Sequence, residues 1–195
     1  MTLDKEINFH NFLGHHTLLY GETDTKKTLI TANFIKFLLE EGNIEPQIIT
    51  VLDFAPSLEI IDNIKIGGKL RDYYDECEKC NYLRFEGEII PPRLNAKNKR
   101  ELYQNACSNY KKTSKILEMY NLKPTEILLI NDISIYLHLG SKKYLMETIN
   151  NSKTFFGNSY YGSLIKQNFA KLFSLKERVR VNYIISSIEC AFSTQ

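Results

Sequence analysis

The stretch Gly21-Glu22-Thr23-Asp24-Thr25-Lys26-Lys27-Thr28 carries residue types at a spacing that suits one kind of chemistry, the cradling of a polyphosphate. Gly21, Lys27 and Thr28 match G-x-x-x-x-G-K-[ST], and Lys26 stands where that pattern has its second glycine. In such a loop, successive backbone N–H groups curl round phosphate oxygens at a helix start, where the helix dipole adds positive potential. The lysine then reaches the terminal phosphates and the hydroxyl holds Mg²⁺. The expected nucleotide-binding set is therefore Gly21, Glu22, Thr23, Asp24, Thr25, Lys26, Lys27, Thr28 and Leu29. Lys26 pulls two ways. A side chain strains a backbone at positive φ, whereas an ammonium beside a polyphosphate is attractive. A solvated strand-to-helix turn is the plain alternative.

Two carboxylates add to the pattern. In Glu126-Ile127-Leu128-Leu129-Ile130-Asn131-Asp132 an apolar run ends in Asp132, so a carboxylate falls at the end of a buried strand, where it is expected to bind Mg²⁺ directly or through water. Asp53 ends the apolar run from Gln47 to Phe54. The carboxyl ends of parallel strands open onto one crevice, so Asp53 is expected to hold a metal-bound water or orient the attacking group. The metal set is thus Thr28, Asp53 and Asp132, and the catalytic set Lys27, Asp53 and Asp132. Either aspartate read alone is an ordinary cap or turn residue.

The elements needed to position these groups are legible around them. His16 to Tyr20 reads as a strand entering the loop. A helix follows with Leu29, Ile30, Phe34, Phe37, Leu38 and Leu39 on one side and Gly42 as its left-handed cap. After the Asp53 strand the chain reads as irregular, with a turn at Gly67-Gly68, and Asn81 to Ile90 contains a short strand. A helix is expected over Lys97 to Tyr120, then the Asp132 strand, a helix over Lys142 to Ile149 and a strand at Lys153 to Asn158. Ser174-Leu175-Lys176-Glu177 has the form of a capping box that starts the last helix. Short apolar runs alternating with helices predict a three-layer α/β domain with a mostly parallel central sheet flanked by helices, one domain over 1–195.

Composition narrows the partners. Of 195 residues 43% are hydrophobic and 25% charged, with a formal net charge of +2, which argues for a globular chain and against a dedicated nucleic-acid or membrane-surface binder. The basic run Lys97, Lys99, Arg100, Lys111, Lys112 and Lys115 reads as a solvated helix face. The apolar runs are too short to cross a bilayer, and residues 1–12 show no signal-peptide pattern, so the expected location is the cytoplasm. The four cysteines are then expected as reduced thiols. Cys77 and Cys80 form a single C-x-x-C, read as surface thiols. A homodimer in which each chain supplies half of a zinc site is the alternative. His15 and His16 make a poor metal pair, while Arg71 and Arg93 fall in the segments that border the crevice and are candidates for an acidic group.

The loop, "VLDF" and "ILLIND" together resemble the P-loop NTPase superfamily over roughly residues 16–160. The early Asp53 is similar to the branch containing dethiobiotin synthetase and the septum-site ATPases, with Lys26 a departure from its loop. The resemblance implies ATP or GTP and Mg²⁺ as ligands, and an asparagine after a late strand, here Asn158, as a contact to the base. Two functions follow. One is an ATP- and Mg²⁺-dependent NTPase or phosphotransferase acting on a small-molecule or protein acceptor. The other is a nucleotide-holding module with little or no hydrolysis, to which the tyrosines of "DYYDE" and "SYYG" would give an interface.

Overall fold

Alternate side chains of the apolar strands feed two separate cores, one on each face of a single sheet. The strands in question are β1 (His16–Gly21), β2 (Ile49–Asp53), β6 (Ile127–Asn131) and β7 (Thr154–Tyr160). Leu19, Val51, Leu129 and Phe156 point into one core, and Leu18, Leu52, Leu128 and Phe155 into the other. A strand alternates faces residue by residue, so only cover on both sides explains such continuous apolar runs. The computed structural model describes residues 7–61, 63–165 and 168–194. Residues 1–6 of the stretch read for targeting lie outside the described residues.

α1 (Lys27–Glu40) covers one face, and α2 (Lys99–Leu122), α3 (Ile133–Leu137), α4 (Lys142–Ile149) and α5 (Lys171–Ser187) cover the other. The six strands run in the order β5-β2-β6-β7-β1-β8, all parallel, where β5 is Asn81–Leu83 and β8 is Cys190–Thr194. This is the three-layer α/β arrangement the alternation predicts, and Leu19, Val51 and Leu129 lie on interior strands. β7 runs between β1 and β6, so the strand that leads into Asp132 is one place removed from the strand that enters the loop. Asp53 pairs in register with Asn131, and Asn158 follows on β7 opposite Leu19 of β1, which brings three polar side chains to one end of the sheet.

Several local expectations are corrected. The segment read as irregular contains an antiparallel hairpin, β3 (Glu59–Ile61) and β4 (Ile64–Ile66), ahead of the Gly67-Gly68 turn, where both glycines have positive φ. The left-handed residue after α1 is Asn43 rather than Gly42, an exchange that asparagine's short polar side chain permits. α5 starts at Lys171, so Ser174-Glu177 sits inside it; Ser174 accepts a hydrogen bond from Arg93 and Glu177 is buried. β8 had no counterpart in the sequence reading. Cys77 and Cys80 are buried in the α1-side core, not on the surface, and burial pushes the Cys77 thiol up to about 12 and Cys80 to about 11. Tyr160 and Tyr161 are half-buried, with Arg93 and Arg178 over their rings.

Candidate functional site

The loop between β1 and α1 is held by two left-handed residues. Asp24 has φ 55° and Lys26, the N-cap of α1, has φ 60° and ψ 10°. Lys26 thus adopts the backbone conformation that favours glycine, with its side chain exposed. Gly21 is needed for a different reason than a bend: a Cβ there would lie 2.1 Å from the Thr194 carbonyl oxygen of β8. The glycine lets the edge strand close against the loop's first residue.

Lys27 is 8% exposed. Its ammonium turns into the loop, donating to the Glu22 carbonyl and to the Thr25 hydroxyl at 2.9 Å. Burial lowers its pKa from 10.5 to about 8, against the opposing pull of Asp132, Glu22 and Asp24. An ammonium buried among carbonyl and hydroxyl oxygens gains strongly from an added anion, because the low local dielectric magnifies the attraction. The loop is also anchored from outside. The Glu22 carboxylate accepts from the Ser163 and Leu164 amides beyond β7, Thr23 donates to the Lys65 carbonyl of β4, and Lys65 Nζ lies 3.6 Å from Asp24.

Under the loop runs a buried polar floor with Asn131 at its centre. Asn131 Nδ2 donates to Asp53 Oδ1 at 2.8 Å and to the Gly68 carbonyl at 3.0 Å. Its Oδ1 accepts from Thr28 Oγ1 at 3.3 Å and from Asn158 Nδ2 at 2.9 Å. Asn158 also donates to Thr31 and accepts from the Asp132 amide, so it ties α1, β6 and β7 together. Asp53 is buried as well, at 3% exposure. Its Oδ2 accepts from the Leu70 amide at 2.7 Å and from the Tyr82 hydroxyl at 2.6 Å. Burial holds its pKa above the usual value, although Lys69 and these hydrogen bonds oppose that shift.

Above the floor opens a cavity of about 390 Å³, bordered by the loop, Gly67, Pro92, Arg93, Asp132 and His138. Of the expected site residues, Thr23 to Leu29, Asp132 and Asn158 line it. Asp53 lies below it in the floor, Gly21 behind it and Glu22 beside it, turned towards Ser163. Asp132 is left-handed at φ 58°, and its Oδ1 accepts from Ser134 at 2.6 Å and from the Tyr160 amide at 3.3 Å. Arg93 lines the cavity while paired to Glu177 at 2.7 Å, whereas Arg71 pairs with exposed Glu78. His15 and His16 lie at the opposite, amino end of β1. Asn131 escaped the sequence reading although it directly precedes Asp132 at the strand end. His138 carried no signal, and Glu177 reads in sequence as part of a capping box.

No family model matches the chain, and no curated protein matches it in sequence. Among solved structures it is similar to the flagellar accessory protein FlaH from Methanocaldococcus jannaschii, at 13% identity and a TM-score of 0.41 over 84% of this chain and 68% of that one. It is also similar to a chain in the structure of Drosophila ORC bound to GC-rich DNA and Cdc6, at 14% identity and a TM-score of 0.30, covering 96% of this chain and 55% of that one. Among the described residues no helix is long and apolar enough to cross a membrane.

Proposed function

We propose that the chain binds a nucleoside triphosphate with Mg²⁺ in the loop from Gly21 to Leu29 and turns it over as an NTPase or phosphotransferase of the P-loop kind. The observation that carries this reading is Lys27: a buried ammonium at the start of α1, enclosed by a loop with left-handed residues at Asp24 and Lys26. A triphosphate supplies the anion that the Lys27 ammonium and the α1 N-terminus both favour. Lys27 stabilises charge on the transferred phosphoryl group, and exposed Lys26 adds a second cation.

For Mg²⁺ the fit rests on the donor set. Thr28 offers a hydroxyl and Asp132 a carboxylate on the cavity wall, which suits a cation that keeps several waters and takes only one or two protein ligands. Among the described residues no group of three His, Cys, Asp or Glu could hold a metal by itself. Asp53, already accepting three hydrogen bonds, supports the metal side by fixing the Asn131 amide and through it the Thr28 hydroxyl. When bound, the metal would neutralise charge between the outer phosphates.

Asn131 favours the second reading, a nucleotide-holding module, because the side chain nearest the Thr28 hydroxyl at the end of β6 is neutral. Phosphate release from MgATP and MgGTP, with and without candidate acceptors, separates the two. Turnover that stops in Asp132→Asn supports the enzyme, and tight binding without release supports the module. Absence of any nucleotide binding removes both.

A further inference from the structure

α5 is apolar on two faces, and the chain covers only one of them. Phe173, Val181 and Ile184 turn inward and are buried, as is Glu177, the only acid of this helix. On the opposite side Leu172, Leu175 and Val179 recur at helical spacing and stand 64%, 57% and 53% exposed. A helix at a protein surface ordinarily turns polar residues outward, so the second stripe serves no core of this chain. The stripe borders a groove of about 350 Å³ between α5 and the segment from Tyr160 to Ile165, with Tyr161, Ile165, Leu175 and Arg178 on its walls. That segment adds another exposed leucine, Leu164. It is held from two sides: the Glu22 carboxylate accepts from the Ser163 and Leu164 amides, and Arg178 donates to the Gly162 carbonyl at 2.7 Å. The charges beside the stripe have one sign. Lys171 and Arg178 follow one edge and Lys176 the other, all three exposed.

We propose that the outer face of α5 and its groove dock an acidic amphipathic helix of a partner protein. The apolar side of such a helix covers the leucines and sends a side chain into the groove, while its carboxylates meet Lys171, Lys176 and Arg178. A contiguous exposed apolar patch with a polar rim is the usual mark of an interaction site, and here the rim sets the charge of the partner. A second copy of this chain fits worse, because two copies of the face would set like charges against each other. A flat lipid surface fits worse, because it leaves the groove empty. The docking face stands apart from the nucleotide reading and does not depend on it.

Displayed random peptides of about 15 residues, long enough to form a helix, are selected on the whole chain with depletion on Leu172→Ser/Leu175→Ser. Both positions are exposed, so this variant is expected to melt with wild type. The enriched peptides are expected to be acid-rich with apolar residues at i, i+3, i+4 and i+7. By fluorescence anisotropy they should bind at least about tenfold more weakly to the double variant. Lys171→Glu/Lys176→Glu keeps the leucines and tests the face a second way. It is expected to weaken the same peptides at low salt, with the loss shrinking as salt is raised. No enrichment, enrichment of basic or neutral peptides, or equal affinity for wild type and both variants overturns the proposal. Flotation with phosphatidylserine vesicles and sedimentation of the chain alone test the other occupants. Vesicle binding or a dimer that is lost in Leu172→Ser/Leu175→Ser, with no peptide sensitive to that change, gives the face to lipid or to a second copy and overturns it as well.

Discussion

Thr28 and Asn131 meet across the gap between α1 and the end of β6, the threonine hydroxyl donating to the asparagine Oδ1 over 3.3 Å. The amide is locked in that orientation because its nitrogen serves Asp53 and the Gly68 carbonyl. Asn131→Asp would place a second carboxylate against Asp53 and remove both donors. The expected cost is about 1–3 kcal/mol of stability near neutral pH. The sign with pH follows from burial. The new carboxyl has a folded-state pKa above its unfolded value, so the penalty is full above that raised pKa and fades as pH falls through it. Thermal melts at about pH 7.5 and about pH 5 should show the gap to wild type closing at the lower value. Equal melting temperatures near neutrality would show that the amide donors contribute nothing.

Lys26 tests strain against charge. Its φ of 60° lies in the region where a side chain costs roughly 1–2 kcal/mol. An ammonium within about 4–6 Å of a polyphosphate outweighs that when it is not fully screened. Lys26→Gly is therefore expected to bind MgATP more weakly than wild type, with the difference shrinking as salt is raised. Tighter binding at both low and high salt would show that relief of strain dominates.

The interior of the fold was legible because covered strands leave continuous apolar runs: Leu18-Leu19, Ile49 to Leu52 and Ile127 to Ile130 all proved central. β8 was not legible. Its burial is only partial and its five residues follow α5 with Ile188 and Glu189 between, so no turn signal separates them. Ser174-Glu177 misled because a capping box and an inward-facing buried acid look alike in one dimension. The loop was readable from spacing, down to the positive φ at the missing glycine. The floor was legible only in part: Asp53 and Asn158 stood out, whereas Asn131 and Tyr82 gain meaning only when β2, β5, β6 and β7 bring them together.

Lys27 predicts a linkage between binding and protons. With its pKa lowered to about 8, the free protein has about half of these ammonium groups deprotonated near that pH. Phosphates hold the bound ammonium charged, so binding takes up protons there and affinity falls as pH rises above 8. Calorimetry near that pH in buffers of different ionisation enthalpy should return an uptake of about half a proton. Proton release, or affinity that climbs with pH, would contradict the placement of Lys27 against the phosphates.

The central claim is that the Lys27 ammonium is the group that holds the terminal phosphates. Calorimetric titration of MgATP into wild type and Lys27→Ala tests it most directly, with the fold of each checked by melting beforehand. The expected result is saturable binding to wild type and at least a tenfold loss in the variant, on the order of 1.4 kcal/mol. Equal affinity in the two chains, or no binding to wild type, would return the loop to a solvated turn between β1 and α1.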